Sequence, residues 1–209
     1  MDEVTIRPFG EEDFIRVSEI LAQSFQDKFG RLSRVEPERM SSLLKESGIL
    51  HDLPFPGYFV AELHKRVIGV IMLKWLGQRR PPQAKCPKKR TKWMERHRLR
   101  FGLFLLGRRA EEGACYIQYL AVAPEARRSG AGTALLSEAR VFASSRRFDT
   151  MMLYVASINR RAVSLYTKMG FRRTRIIESG ITHRFFGIRE WWLLELELLP
   201  PGMQSPEDK

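Results

Sequence analysis

One short turn, Arg127-Arg128-Ser129-Gly130-Ala131-Gly132, contains the residue types that bind a phosphate group. The turn follows Pro124 and leads into an apolar pattern typical of a helix. Backbone N–H groups in the first turn of a helix have no intrahelical acceptor, so they form an anion site. Glycine lets a phosphate approach the backbone closely, and arginine adds charge-assisted hydrogen bonds. A plain helix start with solvated arginines is the alternative interpretation.

The residues around the glycines exclude two common phosphate-binding motifs. A P-loop requires Lys followed by Ser or Thr after its last glycine, whereas Thr133 and Ala134 stand here. A dinucleotide-binding fingerprint requires a third glycine where Leu135 stands, and Asp149, at the spacing of a ribose ligand, precedes a strand. The pattern that remains is Arg-x-x-Gly-x-Gly, counted from Arg127.

The elements that must position this turn alternate between helical and strand patterns. Apolar spacing predicts helices over 11–29, 36–47, 130–148 and 159–170, the first with acids in its first turn and the last capped by Asn159 and ended by Gly170. β-rich runs predict strands over 4–9, 58–64, 67–76, 115–123, 150–157, 171–179 and 189–198. This order predicts an α/β domain built on a mixed sheet, without a second domain.

Two motifs in this frame resemble the GNAT superfamily of acyl-CoA N-acyltransferases. The first is the run YIQYLAVAPEARRSGAGTALL, and the second is formed by Asn159, Ala162, Tyr166, Gly170 and Phe171. The opening VTIRPFGEEDF is also common in that family. The resemblance spans 4–76 and 114–198. It implies one GNAT-like domain over 1–199, with a mixed, mostly antiparallel sheet splayed at the fourth and fifth strands and helices on both faces.

The resemblance implies an N-acetyltransferase that moves an acetyl group from acetyl-CoA to a primary amine by direct attack in a ternary complex. Tyr166 matches the family's general acid, which protonates the leaving thiolate, although a packed helix tyrosine would look the same. Asn159 is either a cofactor contact or a helix cap alone. The implied cofactor-binding residues are Leu120, Ala121, Val122, Arg127, Arg128, Ser129, Gly130, Ala131, Gly132, Thr133, Asn159 and Tyr166.

No motif identifies the general base. Many family members place a glutamate on the fourth strand, where this chain offers Tyr116 and Gln118, which share one face by period-two alternation. A tyrosine at 116 resembles some protein N-terminal acetyltransferases, in which an ordered water relays the proton and a histidine stands where Tyr154 is found here. We predict a water relay at Tyr116 as the second catalytic residue. Cys115, inside a strand, is predicted to be inert packing and not an acyl-carrying nucleophile.

Most of the net charge of +12 lies in one segment, because residues 77–109 hold twelve Lys or Arg and one acid. Its start is rich in proline and predicts a loop, and from Thr91 a helix is predicted. Its apolar stripe contains Trp93, His97, Phe101, Phe104 and Leu105. We predict a basic helical insertion over 77–113, between the third and fourth strands, that covers the acceptor cleft. The alternative is a protein that retains the fold without turnover and binds RNA or an anionic membrane through 79–109.

The composition excludes several other classes of protein. Hydrophobic residues make up 44% and charged residues 29% of the 209, which is typical of a globular domain. The first residues lack the pattern of a signal peptide, and no apolar run approaches the ~20 residues of a membrane span. Two cysteines are too few for a disulfide framework or a zinc site. We therefore expect a cytoplasmic protein without a metal, and a disordered tail over 200–209. The acceptor amine, the acyl chain length and association into a homodimer remain open.

Overall fold

A computed structural model describes residues 3–28, 50–79 and 112–198 of the chain. Within these ranges the chain forms seven strands, β1 (Thr5–Pro8), β2 (Tyr58–Leu63), β3 (Arg66–Lys74), β4 (Ala114–Val122), β5 (Thr150–Ala156), β6 (Arg172–Glu178) and β7 (Glu190–Glu197). The helices of the same ranges are α1 (Phe14–Lys28), α2 (Ala131–Ser145), α3 (Arg160–Lys168) and α4 (Gly180–Phe186). The predicted helix over 36–47, nearly all of the basic insertion and the tail over 200–209 lie outside the described residues.

The strands form one mixed sheet in the order β1-β2-β3-β4-β5-β7-β6. Neighbouring strands are antiparallel except β4 and β5, which run parallel because α2 carries the chain across the sheet between them. Their pairing covers three residue pairs and ends at Tyr116 opposite Met152. The mixed, mostly antiparallel sheet and its splay between the fourth and fifth strands are therefore confirmed.

Alternation along the strands gives the sheet two apolar faces, and each is covered by helix. Phe59 contacts Phe142 of α2 with ring centroids 5.4 Å apart, and a Cβ at Gly69 would lie 3.1 Å from Leu135 of the same helix. We call this side, which also bears Ile71, the α2 face. The opposite side bears Tyr58, whose ring stacks on Phe9 at 4.0 Å, and it is the α1 face because α1 packs on β3 and β4.

Two element boundaries differ from the sequence expectation. The acids Glu11–Asp13 form a 3-10 turn before α1 and do not lie in its first turn. Helix α4 was not predicted, although both of its ends carry ordinary signals. The hydroxyl of Ser179 accepts a hydrogen bond from the amide of Thr182 at 3.2 Å, and Gly187 ends the helix with a φ of +72°. Only seven residues lie between these ends, so apolar periodicity could not reveal the helix.

A partly buried ion pair joins β1 to the 3-10 turn before α1. Two nitrogens of Arg7 donate to the two carboxylate oxygens of Asp13 at 2.6 and 2.8 Å, and the amide of Gly10 donates to the same carboxylate at 2.8 Å. Arg7 also donates to Glu62 of β2 at 2.9 Å. Burial by itself raises the pKa of Asp13, but the hydrogen bonds from Arg7 and Gly10 outweigh it, so the pKa lies below its ordinary value.

Because the pKa of Asp13 is lowered on folding, its contribution to stability is present above the ordinary pKa of about 3.9 and is lost as pH falls further. Asp13→Asn is expected to lower the free energy of unfolding at pH 7 by about 1–3 kcal/mol, since it replaces charge-assisted hydrogen bonds. Urea unfolding between pH 7 and pH 2 measures both effects. An acid dependence that is as steep in the variant as in the wild type would contradict this assignment.

Candidate active site

The turn between β4 and α2 has the geometry of an anion site. Pro124–Ala126 form a 3-10 turn, after which Arg128 and Gly130 adopt left-handed backbone conformations with φ of +71° and +87°. The amide of Ala134 donates to the carbonyl of Gly130 at 3.0 Å and begins the hydrogen bonds of α2. In the described part of the chain, the amides of Gly132 and Thr133 donate to no backbone carbonyl, as expected for the first turn of a helix.

The two glycines of this turn are required for different reasons. A Cβ at Gly130 would meet no described atom within 4 Å, so glycine is favoured there by its positive φ. A Cβ at Gly132 would lie 3.1 Å from Leu165 of α3 and 3.8 Å from Val122 of β4. Gly132 therefore lets the end of β4 and helix α3 pack against the first turn of α2. This packing brings the predicted phosphate turn and the helix of Tyr166 together.

Arg16 of α1 anchors this turn from the other side, a role that sequence reasoning missed. Its guanidinium donates to the carboxylate of Glu125 at 2.5 Å and to the carbonyl of Val67 at 3.2 Å. A third bond, at 3.1 Å, goes to Glu19. The partners are separated from Arg16 by up to 109 positions along the chain, so no local pattern could have indicated the contact. Arg16 thereby links α1, β3 and the residues that immediately precede Arg127.

A bulge in β4 interrupts the side-chain alternation around the candidate base. Met72 of β3 pairs with Tyr119, but the next residue, Leu73, pairs with Ile117, so Gln118 is an extra residue in β4. An extra residue reverses the alternation of side chains beyond it. Period-two alternation, from which a shared face of Tyr116 and Gln118 was expected, is therefore interrupted at Gln118. The residue that shares the α1 face with Tyr116 is Tyr119.

Beyond Tyr116, strand β4 is paired on one side only. Leu120, Ala121 and Val122 pair with Ile71, Val70 and Gly69 of β3. Towards β5, the pairing of described residues stops at Tyr116. The backbone of 120–122 therefore has its second edge directed into the gap between the parted strands, where an extended ligand can hydrogen-bond to it as a further strand would.

Tyr166 lies on α3 as a buried phenol. Its residue is 7% exposed, and its ring contacts Phe171 edge-on at 5.7 Å between centroids. Burial raises the pKa of Tyr166 above its ordinary value, so the hydroxyl keeps its proton at neutral pH. Asn159 caps the same helix, because its side-chain oxygen accepts from the amide of Ala162 at 3.3 Å. The predicted cap at Asn159 is therefore confirmed.

The predicted base, Tyr116, lies where the parallel pairing ends. It is 1% exposed, and its ring centroid is 6.1 Å from that of Tyr154, which is half-buried on β5. Tyr116 belongs to a small apolar cluster, separate from the main core, together with Ala114, Met152 and Leu193. The two tyrosines therefore face each other across the beginning of the gap.

Cys115, next to Tyr116, is excluded as a nucleophile by its surroundings. The side chain is fully buried, and burial raises the pKa of its thiol to about 12. The reactive form of cysteine is the thiolate, which this environment suppresses at neutral pH.

The described residues contain neither a candidate metal site nor a candidate membrane span. These residues contain no group of three or more His, Cys, Asp or Glu side chains placed to hold a metal ion. They also contain no helix that is long and apolar enough to cross a membrane.

The sheet parts after a short parallel pairing, and a glycine-containing turn leads from the end of β4 into α2. This arrangement is typical of acetyltransferase folds. The model of the acetyltransferase (GNAT) family matches residues 15–171, and the chain belongs to this family. The family, fold class and acetyltransferase class expected from the sequence are confirmed.

Several known proteins are similar to this chain. The mycothiol acetyltransferase of Stackebrandtia nassauensis is 47% identical over 57 residues, which cover 27% of this chain and 19% of that protein. A GCN5-related N-acetyltransferase from Kribbella flavida superposes with a TM-score of 0.62 at 17% identity, over 93% of this chain and 98% of that one. The ribosomal-protein-alanine N-acetyltransferase from Brucella melitensis gives 0.59 at 16%, over 93% and 99%. At such identities the two structural relatives show a common fold.

The burial of Cys115 predicts its reactivity. In native protein at pH 8, Cys115 is expected to remain unmodified by iodoacetamide for hours, whereas in urea it is alkylated within minutes, because unfolding restores the ordinary thiol pKa of about 8.5. Mass spectrometry of the peptide that contains Cys115 measures both rates. Alkylation in the native state as fast as in urea would show that this part of β4 opens.

Proposed function

We propose that this chain transfers an acetyl group from acetyl-CoA to a primary amine by direct attack within a ternary complex. The observation that carries the proposal is the position of the turn over 127–133, which leads from the end of the parted strand β4 into α2. A ligand anchored by phosphate at that turn has an unpaired strand edge beside it along which to extend. Family membership supplies the class of reaction.

The residues of the turn fit the pyrophosphate of coenzyme A. The pyrophosphate would lie on the amides of 128–133 at the start of α2, where the helix dipole favours an anion, and Arg127 and Arg128 would add positive charge. Of these amides, those of Gly132 and Thr133 have no backbone acceptor among the described residues, whereas the amide of Ser129 donates to the carbonyl of Ala126 at 3.3 Å. The pantetheine arm would hydrogen-bond to the backbone of Leu120, Ala121 and Val122. Asn159 would contact the cofactor from the start of α3 in addition to capping it.

The acyl group would then lie between β4 and β5, and the rate would come largely from proximity of the two bound substrates. A backbone N–H of β4 in the gap would stabilise the charge that develops on the carbonyl oxygen. Tyr166 would give its proton to the departing thiolate, which a protonated phenol is able to do at neutral pH. Tyr116 would order the water that carries the amine proton away. We place this activity in the cytoplasm, because the fully buried Cys115 is used as packing and as a free thiol.

Tyr166→Phe tests the general acid. The substitution removes one oxygen from a buried ring and retains its shape, so the fold and the Kd of acetyl-CoA are expected to change little. Loss of a positioned proton donor is expected to lower kcat by about 10²–10⁴-fold. Steady-state release of thiol with a panel of primary amines gives kcat, and calorimetric titration gives Kd. Full activity of the variant would overturn the role of Tyr166.

Gly130→Glu and Gly130→Gln form a matched pair that tests the anion site. Both add a side chain of the same length at a φ of +87°, so both carry the same backbone strain. Only glutamate adds a negative charge where the pyrophosphate would lie. Glu is therefore expected to abolish acetyl-CoA binding, and Gln to weaken it by about 10-fold or less. Equal affinities in the two variants would show that the turn holds no anion.

A further inference from the structure

Strand β6 forms one edge of the sheet and is exposed along nearly its whole length. Among the described strands it pairs only with β7. Six of its seven residues are exposed, and Ile177 is half-buried. In an antiparallel pair, alternate residues direct their amide and carbonyl groups away from the partner strand. The outer backbone groups of β6 therefore form a template on which a further strand can pair.

Three arginines occupy the first half of this edge strand. The register with β7 places Arg172 and Arg175 on the α1 face of the sheet, since they lie opposite residues of that face. Arg173 lies on the α2 face, where its guanidinium carbon is 4.5 Å from the centre of the Trp192 ring. The three cations are therefore divided between the two faces, as the side chains of a strand are, and do not form one flat surface.

The positive charge of these arginines is not balanced by ion pairs. In the part of the chain that the structure describes, no carboxylate lies within 4.0 Å of their guanidinium nitrogens, although Arg172 has Glu195 opposite it in the register. The carboxylate of β6 itself, Glu178, is paired with Arg189 at 3.7 Å. Glu195 and Glu197 belong to β7, one strand further from the open edge. A strand added to β6 would meet the arginines first.

The second half of β6 is apolar. Ile176 is 49% exposed and lies on the α2 face, opposite Trp192, whereas the half-buried Ile177 lies on the α1 face, opposite Trp191. β-branched side chains pack well against their cross-strand neighbours. An added strand would therefore contact cations along the first half of β6 and one isoleucine on each face along the second half.

We propose that the edge of β6 binds an extended acidic segment of a partner protein, which adds to the sheet as a further strand. Acidic side chains of the segment would lie opposite the three arginines, and apolar side chains opposite the two isoleucines, about 5 Å away as in other cross-strand pairs. Main-chain hydrogen bonds would supply affinity, and the side chains of β6 would supply the selection of acidic sequences. This inference does not depend on the proposed acetyl transfer.

Charge and geometry favour this partner over two others. A second copy of the chain would bring the same three arginines to the edge, and charged side chains on an edge strand oppose such self-pairing. Nucleic acid is bound by cations that cluster on one surface. The arginines of β6 are divided between two faces and accompany a row of backbone groups, which is the arrangement that an acidic strand complements.

A labelled peptide tests the proposal with the full chain. The probe is an N-acetylated peptide of sequence Thr-Val-Val-Glu-Thr-Glu-Glu, whose valines meet the isoleucines and whose glutamates meet the arginines in antiparallel pairing. Fluorescence anisotropy measures its Kd. Replacement of the three glutamates by glutamine is expected to weaken binding by about 10-fold or more, because three ion pairs are lost. Equal affinities of the two peptides would overturn the inference.

A third peptide tests whether the segment binds as a strand. N-methylation of both valines retains the side chains and removes two consecutive amide donors, one of which must face β6 because alternate amides point to the same edge. The loss is expected to be about 5-fold or more. Unchanged affinity would show that the segment does not pair with the backbone of β6.

Paired variants of the protein test the position of the site. Arg172→Gln combined with Arg175→Gln changes two exposed side chains and is expected to weaken binding of the glutamate peptide by about 5- to 30-fold. The matched control, Arg140→Gln combined with Arg147→Gln, removes the same charge from exposed positions at and beyond the end of α2 and is expected to change Kd by less than about 2-fold. Equal losses in the two variants would contradict a site at β6.

Two further results would assign the edge to a different partner and overturn the inference. A dimer in sedimentation that dissociates on Ile176→Asp would show that a second copy occupies β6. Binding of a labelled oligouridine more tightly than the glutamate peptide, with loss of that binding in the Arg172→Gln and Arg175→Gln variant, would show that the arginines bind nucleic acid.

Discussion

The candidate active site depends on the shortness of the pairing between β4 and β5. Parallel strands must be joined by a crossover, and α2 provides it, so the turn before α2 lies at the end of β4. If the pairing continued past Tyr116, the backbone of 120–122 would be hydrogen-bonded to strands on both edges and could not bind a ligand. Three residue pairs join β4 to β5, and the gap between the strands beyond these pairs forms the candidate active site.

The position of the turn over 127–133, the proposed phosphate site, depends on packing as much as on the sequence of the turn. Gly132 allows β4 and α3 to approach the first turn of α2, and Arg16 ties the preceding residues to α1 and β3. Between these contacts, Arg128 and Gly130 adopt left-handed backbone conformations. The proposed acid on α3 and the proposed anion site on α2 therefore lie on helices that pack against each other at Gly132.

The bulge at Gln118 determines on which face of the sheet the side chains of β4 lie. It places Tyr119 on the α1 face, the same side as Tyr116. The same shift leaves Leu120 and Val122 on the α2 face, towards the proposed cofactor.

The sequence by itself determined the family, the order of most elements and the turn between β4 and α2, because these follow from local patterns. Glycine spacing, the cap at Asn159 and alternating apolar runs need no knowledge of distant residues. Only the tertiary structure decided which side chains face each other. The bulge at Gln118 depends on the register with β3, and the contacts of Arg16 join residues far apart in the chain. The pairing of Lys74 with Tyr116 likewise depends on the register of β3 and β4, which local composition does not encode.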